Sequence, residues 1–440
     1  MSFRLPAWLN FFKLPEDLWE KFSVTLICLL VYRAGAHIAT PGVNVQALAD
    51  FLRNQGQGTL FSLYDLFAGG GFSRATVFAL GIMPYISASI VFQLAAPVFP
   101  VVEKMQRDEE GRKKLTQWTR YLTLVLCFFQ SYGYAIFTEQ LPGAVAMPGW
   151  GFRMTTVLTL STGGMFVMWL GEQITERGIG NGASLLIFFS IIERMWPETL
   201  RTIEALRAHS LTFAVLVVVL AVMVLVVAGT VAVTVAARRI PIQIPRKVMG
   251  RGRIREGQKT FIPLRINSSG VMPIIFAQSL IIVPGTLATF SGNQLLKRFA
   301  EYFQVTSWVY VVTSAVLIVF FAYFYTSIIF NPVDLAENLK KQGGFIPGVK
   351  PGAATADYID DVLSRITLPG AIFLTLVALL PIIISNVLNM PFGFGGTALL
   401  IVVGVALDTV QQVQQHLLLR HYDGFMKEGR VKFRGRQRYM

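Results

Sequence analysis

Residues that could carry out chemistry are few and widely spaced in this chain. The four histidines are scattered along 440 residues, so no His-x-x-Glu-His pair and no Ser/His pair forms from neighbouring residues. The segment "GGFIPGVKP" (343–351) looks like a phosphate-binding loop but lacks the Gly-Lys-Ser/Thr ending. Cys28 and Cys127 both lie in apolar segments and give neither a disulfide framework nor metal-ligand spacing. We therefore predict that the chain is not an enzyme and has no catalytic residue, metal site or cofactor.

Asp408 is the one carboxylate that lies well inside a long apolar run. An ion-coupled carrier of small solutes needs ionisable or carbonyl-lined ion sites within the membrane. A single carboxylate is a thin basis for such a site, because it can equally serve as a hydrogen-bonding residue between two helices. A carrier therefore stays the alternative hypothesis for this chain.

The composition indicates an integral membrane protein. Hydrophobic residues make up 53% of the chain, charged residues make up 15%, and the mean hydropathy is +0.55, which is too apolar for a soluble protein. A helix needs roughly 20 apolar residues to cross the hydrocarbon of a bilayer. The predicted spans are 22–40, 73–96, 118–138, 154–171, 183–197, 211–236, 268–290, 308–330, 368–389 and 394–418.

The 39 Lys and Arg residues are distributed unequally between the connections of these spans. Most of them fall on one side if both termini and the even-numbered connections share it, which by the positive-inside rule is the cytoplasm. The connection 238–265 is far more basic than topology requires. Two interpretations stay open for it: a loop attracted to anionic lipid, or a protruding arm that docks an acidic partner or RNA phosphate.

One apolar phrase occurs twice. "GIMPYISASIV" (81–91) and "GVMPIIFAQSL" (270–280) have the same Gly, Met, Pro, Ile and Ala at five matching positions. The proline is expected to interrupt a membrane helix. The copies lie in the second and seventh predicted spans. Because the chain reverses direction with each span, two spans that are five places apart cross the membrane in opposite directions. The sequence thus predicts an inverted repeat of two five-span halves, with a functional site between the halves.

The repeated phrase carries aliphatic and small polar residues on the same helix. Ile82, Ile86 and Ile90 recur at helical spacing, and a ring of isoleucines between the halves could form a hydrophobic gate. Ordinary packing against lipid and neighbouring helices is the alternative. Just before the first copy, "LFSLYDLFAGGGFSR" (60–74) is too short to span and contains three consecutive glycines, so it is either a mobile plug or a static re-entrant helix.

Six long stretches carry a resemblance to a known family. They are "YRAGAHIATPGVN" (32–44), "DLFAGGGFSRATVFALGIMPYISASIVFQL" (65–94), "ERGIGNGASLLIF" (176–188), "INSSGVMPIIFAQS" (266–279), "NPVDLAENLKKQGGFIPGVKPG" (331–352) and "FGGTALLIVVGVALDTVQQVQ" (394–414). From about residue 14 to 432 the chain resembles the SecY/Sec61 family of protein-conducting channels, with the motifs in the family's order and spacing.

The resemblance implies an all-α polytopic membrane protein, with ten transmembrane helices in two inverted five-helix halves around a central hourglass pore. The parts would be an N-terminal half at 1–197 with a plug at about 60–72, an external hinge loop at 198–210, a C-terminal half at 211–419 with cytoplasmic arms at 238–265 and 331–367, and a basic cytoplasmic tail at 420–440.

The resemblance also implies roles for individual residues. The pore ring would be Ile82, Ile86, Ile187, Ile275 and Ala406. The plug and hinge would include Leu63, Leu66, Phe67, Gly69, Gly70 and Gly71. The lateral gate would include Ser87, Gln93, Gln278 and Ser279, and partner contacts would be made by Arg251, Arg253, Arg255, Lys350 and Arg420. Ala406 and Lys350 replace an isoleucine and an arginine that are usual in the family, so sealing and partner contact stay open at these positions.

The implied function is a passive channel in the inner (cytoplasmic) membrane, with both termini cytoplasmic. It would pass unfolded preproteins with their signal peptides across the membrane and release transmembrane segments sideways into the lipid bilayer. The implied partners are the membrane subunits SecE and SecG, the motor ATPase SecA and the ribosome. A pore-less insertase or scaffold is a third hypothesis beside the channel and the carrier.

Overall fold

The computed structural model describes residues 16–55, 60–208, 212–243, 248–249, 253–254, 259–267, 270–290, 302–305, 307–388 and 396–428. The first half contains the helices α1 (Glu16–Gly35), α2 (Val45–Gln55), α3 (Leu60–Phe67), α4 (Met83–Val98), α5 (Pro100–Arg107), α6 (Glu109–Gln140), α7 (Trp150–Arg177) and α8 (Gly182–Arg207). The second half contains α9 (Phe213–Val235), β1 (Ala237–Gln243), β2 (Val248–Met249), β3 (Arg253–Ile254), β4 (Lys259–Arg265), α10 (Met272–Phe290), α11 (Trp308–Ile329), α12 (Pro332–Lys341), α13 (Ala353–Leu388) and α14 (Gly396–Glu428). The prediction of a mostly helical membrane protein is confirmed.

The predicted spans all coincide with helices, although not all of these helices are long and apolar enough to cross a membrane alone. Within the described residues, six stretches meet that requirement by length and composition: Glu109–Gln140, Trp150–Arg177, Phe213–Val235, Trp308–Lys341, Ala353–Leu380 and Thr397–Leu418. The pair α4 and α5 would add a seventh, bent by 112°. The remaining expected spans coincide with α1, α8 and α10. The count of ten therefore fits the helices and stays a prediction.

The repeated phrase begins a helix in both of its copies, so the expectation that its proline interrupts a span was wrong. Gly81 has a φ of +55° and α4 starts at Met83, with a proline in its first turn. Gly270 has a φ of +62° and α10 starts at Met272. A proline in the first turn costs no hydrogen bond, because the N–H groups there have no partner within the helix. The predicted span 73–96 is accordingly helical only from Met83.

The two helices that begin with this phrase pack against each other in opposite directions. The Oγ atoms of Ser87 on α4 and Ser279 on α10 are 2.8 Å apart. Farther along α4, Gln93 accepts a hydrogen bond of 2.9 Å from the hydroxyl of Tyr325, whose ring lies 5.3 Å from that of Phe276. Through Tyr325 of α11, Gln93 is thus connected to Phe276, which lies nearer the start of α10 than Ser279 does. This antiparallel contact is the one that an inverted repeat requires.

A second, smaller core lies outside the main one and joins the connections 238–265 and 331–367. Strands β1 and β4 pair antiparallel from Ala237 with Arg265 to Gln243 with Lys259, and β2 pairs with β3 farther out. The arm 238–265 is thus a β-hairpin. Its inward side chains pack with residues of α12, α13 and the loop between these helices, in the cluster Ile240, Ile242, Leu264, Leu339, Ile346, Ile359, Val362, Leu363 and Ile366. The hairpin and the 331–367 connection therefore form one body.

Candidate pore, plug and gate

The short helix α3 is buried between the two halves of the protein. It packs against α8 of the first half and α10 of the second. Seven of its eight side chains are buried, including the predicted plug residues Leu63, Leu66 and Phe67. Phe61 stacks on Phe72 with ring centroids 5.6 Å apart, which ties the helix to the turn that follows it. A helix of two turns is held here by packing, because a peptide of this length is not stable alone.

The three glycines after α3 form a tight turn for different reasons. Gly69 and Gly70 have φ angles of +63° and +77°, a conformation that favours glycine. Gly71 does not have a positive φ, but a Cβ there would lie 2.9 Å from the Oγ1 of Thr76 and 3.0 Å from the carbonyl oxygen of Ala68. The glycines are therefore explained by conformation and close approach in this structure. The predicted hinge motion stays a prediction.

Two ion pairs hold the plug segment to α8. Asp65 of α3 pairs with Arg194, and Arg74 pairs with Glu193 at 3.0 Å. Arg33 of α1 also pairs with Glu193. Arg33 and Arg74 lie within the predicted spans 22–40 and 73–96, but the sequence alone did not identify their partner. The available signal was that a charge at membrane depth needs an opposite charge nearby.

Four of the five predicted pore-ring residues lie in the same buried core as the plug. Ile82, Ile86, Ile187 and Ile275 are at most 4% exposed, whereas Ala406 is half-buried and its neighbour Val405 belongs to the core instead. These four isoleucines and the predicted plug residues thus belong to one hydrophobic core, and their arrangement as a ring stays a prediction.

Ile82 also faces the first half of the protein. A Cβ built on Gly171 of α7 would lie 3.3 Å from the Cδ1 atom of Ile82 and 3.5 Å from that of Leu186. Ile82 therefore contributes to packing against α7 and α8 as well as to the shared core. Its place in a pore ring remains a prediction.

All four predicted gate residues make hydrogen bonds in or between α4, α10 and α11. Ser87 and Ser279 join α4 to α10, as described above. Gln93 donates to Ser89 at 2.9 Å and accepts from Tyr325 of α11. Gln278 accepts from the hydroxyl of a second α11 tyrosine at 2.9 Å. That residue, Tyr310, and Tyr325 were missed by sequence reasoning, since an isolated tyrosine in an apolar run carries no distinguishing pattern.

Asp408 lies beside the turn that begins α10. A Cβ on Gly270 would lie 3.3 Å from the Oδ2 atom of Asp408, and the side chain of Asn267 donates to the carbonyl of Gly270 at 3.1 Å. Within the described residues there is no group of three or more His, Cys, Asp or Glu side chains that could hold a metal ion. The surroundings of Asp408 therefore favour a structural role at a helix start over an ion-binding site.

The predicted partner-binding residues are only partly within the described structure. Lys350 is exposed, and its carbonyl accepts a hydrogen bond of 2.8 Å from Thr355. Arg253 lies in β3 and Arg420 lies in α14. Arg251 and Arg255 lie outside the described residues. Their roles stay predictions.

Comparisons with known proteins agree with this arrangement. The chain is 44% identical over 420 residues to the protein translocase subunit SecY of Aquifex aeolicus, covering 94% of this chain and 97% of that one. It is also 44% identical over 428 residues to the protein translocase subunit SecY of Escherichia coli K12, covering 96% of both chains.

Solved structures share the fold at lower sequence identity. One is of a protein-conducting channel (TM-score 0.64, 17% identity, 97% of this chain and 100% of that chain covered). Another concerns the plug domain of the SecY protein, which stabilises the closed state of that channel (TM-score 0.63, 17% identity, 97% and 100% covered). A third is canine Sec61 in a ribosome–channel complex (TM-score 0.60, 16% identity, 97% and 100% covered).

The family itself is identified by a sequence model rather than by the fold alone. A model of the SecY family matches residues 76–410, which include the repeated helix starts, the gate residues and the hairpin. The two relatives match at far more than 30% identity over nearly the whole chain. This chain belongs to the SecY family.

Proposed function

We propose that this chain is a protein-conducting channel that passes unfolded secretory proteins across the cytoplasmic membrane. The observation that carries the proposal is the burial of α3 between the two halves, where it contacts both α8 and α10. A helix that fills the interface between two pseudo-symmetric halves is placed to block a path between them. The relatives described above are named as subunits of a protein translocase.

The residues around α3 are suited to a pore that must conduct polypeptides of any sequence. A translocating polypeptide presents every kind of side chain, so a seal cannot depend on recognition and must re-form around whatever it contains. Aliphatic side chains at a narrow point resist the entry of water and ions without binding the polypeptide. Ile86 and Ile275 occupy the same position in the two copies of the repeat and would face each other across this path.

The α4–α10 contact is the proposed lateral gate. The hydrogen bonds that leave α4 here join neutral side chains, Ser87 to Ser279 of α10 and Gln93 to Tyr325 of α11, and each is worth about 0.5–1.5 kcal/mol net. Such a contact can open and close readily. An apolar segment then partitions into lipid because leucine-type residues favour it by about 0.3–0.6 kcal/mol each, whereas a charge at the helix centre costs about 2.5–3.5 kcal/mol.

The energy for transport is proposed to come from partners rather than from the chain itself. A motor ATPase of the SecA type or an elongating ribosome would drive the polypeptide, and SecE and SecG would complete the membrane complex. The two cytoplasmic arms form one packed body with a basic hairpin, which is a suitable docking surface for an acidic or RNA-containing partner. Both termini would then be cytoplasmic.

Deleting residues 62–70 in purified channel reconstituted in vesicles tests the proposal. The channel account predicts that the deletion raises ion leak, because the deleted residues occupy the interface between the halves. A scaffold or insertase without a pore predicts unchanged leak. If the leak does not rise while the protein remains folded and inserted, the proposed channel is wrong.

A further inference from the structure

Two adjacent residues of opposite charge on α8 contact the plug segment from two sides. Glu193 and Arg194 are neighbours, so their side chains leave the helix about 100° apart. Arg194 reaches the helix α3, and Glu193 reaches the arginine that follows the glycine turn. Both ends of the plug segment are thereby connected to one place on α8.

The ion pair between Asp65 of α3 and Arg194 is largely shielded from solvent on the Asp65 side. The Asp65 side chain is 6% exposed and its partner Arg194 is 24% exposed. Asp65 uses one carboxylate oxygen for Arg194 and the other to accept a hydrogen bond of 2.9 Å from the backbone N–H of Ser73. The same carboxylate therefore links the plug helix to α8 and to the chain beyond the glycines.

The second contact acts on the glycine turn itself. Arg74 donates to the carbonyl of Gly69 at 3.0 Å and to that of Gly70 at 3.2 Å, and it pairs with Glu193 at 3.0 Å. Arg33 pairs with the same carboxylate from α1. Glu193 thus fixes the guanidinium group that holds the turn closed.

We propose that Glu193 and Arg194 are positioning residues that clamp the plug in its closed site, an inference that rests on the proposed channel function. The plug can leave only if both contacts break. Removing one partner of a buried ion pair leaves an uncompensated charge, which destabilises the state in which that charge is buried. Without Arg194, the Asp65 carboxylate is buried and unpaired in the closed state but regains water when the plug moves out.

The test compares Arg194→Gln with a matched control in channels reconstituted in vesicles. Arg153 on α7 pairs with Glu139 on α6 at 2.7 Å, and none of its contacts among the described residues is with 60–74, so Arg153→Gln removes an ion pair of the same type elsewhere. We expect Arg194→Gln to raise ion leak by about tenfold or more. Arg153→Gln should leave the leak at the wild-type level.

A second variant separates the clamp from general destabilisation. In the double variant Asp65→Asn with Arg194→Gln no charge is left buried but the contact is still missing, so its leak should lie between that of Arg194→Gln and that of the wild type. If Arg194→Gln alone does not fold, Asp65→Asn still tests the clamp, with a smaller rise in leak expected. A distance between spin labels on the plug and on α8 provides a readout that does not depend on conduction, and it should lengthen in Arg194→Gln.

The outcomes distinguish the clamp from the channel hypothesis. If deletion of 62–70 raises leak but Arg194→Gln leaves both leak and the spin-label distance unchanged, the clamp is wrong and the channel stands. If the deletion itself does not raise leak, the proposed channel function is wrong. If the double variant leaks no more than the wild type, the contact itself does not hold the plug and the clamp is overturned.

Discussion

The two copies of the repeated phrase start their helices in the same way, but different structural elements precede them in the chain. Gly81 and Gly270 both have a positive φ, and both helices begin two residues later at a methionine. Before the first copy, the chain comes from the buried plug helix through the turns of 68–82. Before the second, it comes directly from the strand β4 of the basic hairpin. The copies are alike from their glycines onward and unlike before them.

This difference assigns separate tasks to similar helices. The shared part, which carries Ser87 and Ser279, makes the antiparallel contact between the halves. The unshared parts place the proposed plug before one of the proposed gate helices and a hairpin before the other. Because the helices run in opposite directions, these two additions lie at opposite ends of the gate. The seal and the docking surface can therefore be altered separately, which the following predictions use.

The largest expected effect is a loss of protein export when the hairpin is changed. Changing Arg251, Arg253 and Arg255 to Glu should lower SecA- or ribosome-driven protein export by at least about tenfold, because like charges at a docking surface cost several kcal/mol. Ion leak should not change, since the hairpin belongs to a separate core. Export and leak are measured in the same vesicles. The same reversal at Arg112, Lys113 and Lys114 is the charge-matched control, and an equal loss of export there would show that net charge is responsible.

Gly81 and Gly270, the glycines that begin the two copies, should differ in how well they tolerate a side chain. A positive φ costs a non-glycine residue about 1–2 kcal/mol, so Gly81→Ala and Gly270→Ala should both lower thermal stability in detergent. Gly81→Ala should cost more, because its Cβ would lie 3.3 Å from the backbone of Ala68, whereas the Cβ at Gly270 meets the side chain of Asp408.

A third glycine provides the control for backbone conformation alone. Gly143 has a φ of +77° and no atom within 4 Å of an added Cβ, so Gly143→Ala reports strain without a clash. If Gly81→Ala is no more destabilising than Gly143→Ala, the close packing of the plug turn on the helix start is not significant for stability.

A smaller effect is expected from the hydrogen bond that the two copies share. Ser87→Ala and Ser279→Ala, alone and together, should give a coupling free energy of about 1 kcal/mol for gate closure. Gate closure is measured by crosslinking between α4 and α10. The pair Ser131 and Ser161, 3.0 Å apart between α6 and α7, is the control within one half. Its removal should leave gate crosslinking unchanged, and no coupling at Ser87–Ser279 would contradict the assigned gate.

The smallest effect is predicted for Asp408→Asn. Asn keeps the size and hydrogen-bonding capacity of Asp beside Gly270, so protein export should remain within about twofold of the wild-type rate. An ion-coupled carrier would instead lose uptake of its solute in this variant. A loss of export well beyond twofold would contradict the structural role of Asp408, and unchanged export with no solute uptake lost would exclude the carrier.

The sequence predicted those parts of the fold that depend on local patterns. Apolar runs located the helices, and the repeated phrase located α4 and α10 and their opposite directions. The short apolar segment before the glycines located the plug helix. The proline of the phrase was misjudged because a proline has the same composition signal whether it interrupts a helix or begins one. Only the positive φ of the preceding glycine decides between these cases.

The polar contacts of the site could not be predicted in the same way. Arg74 and Glu193 are separated by 119 residues, and Gln93 and Tyr325 by 232. Neither helical periodicity nor span counting relates residues so far apart. Arg33 and Arg74 lie within predicted spans, where a charge needs an opposite charge nearby, but finding Glu193 as that partner required the packing of α8 against α3.

The most direct test of the central claim is photocrosslinking from the matching isoleucines of the two copies. A crosslinker at Ile86 and another at Ile275 are compared with crosslinkers on the same helices at the exposed residues Val91 and Leu280, while a secretory polypeptide is arrested during transport. The account predicts that the polypeptide is captured from both isoleucines and much less from the exposed positions. If export proceeds and neither isoleucine captures the polypeptide, the two copies do not line the path and the account is wrong.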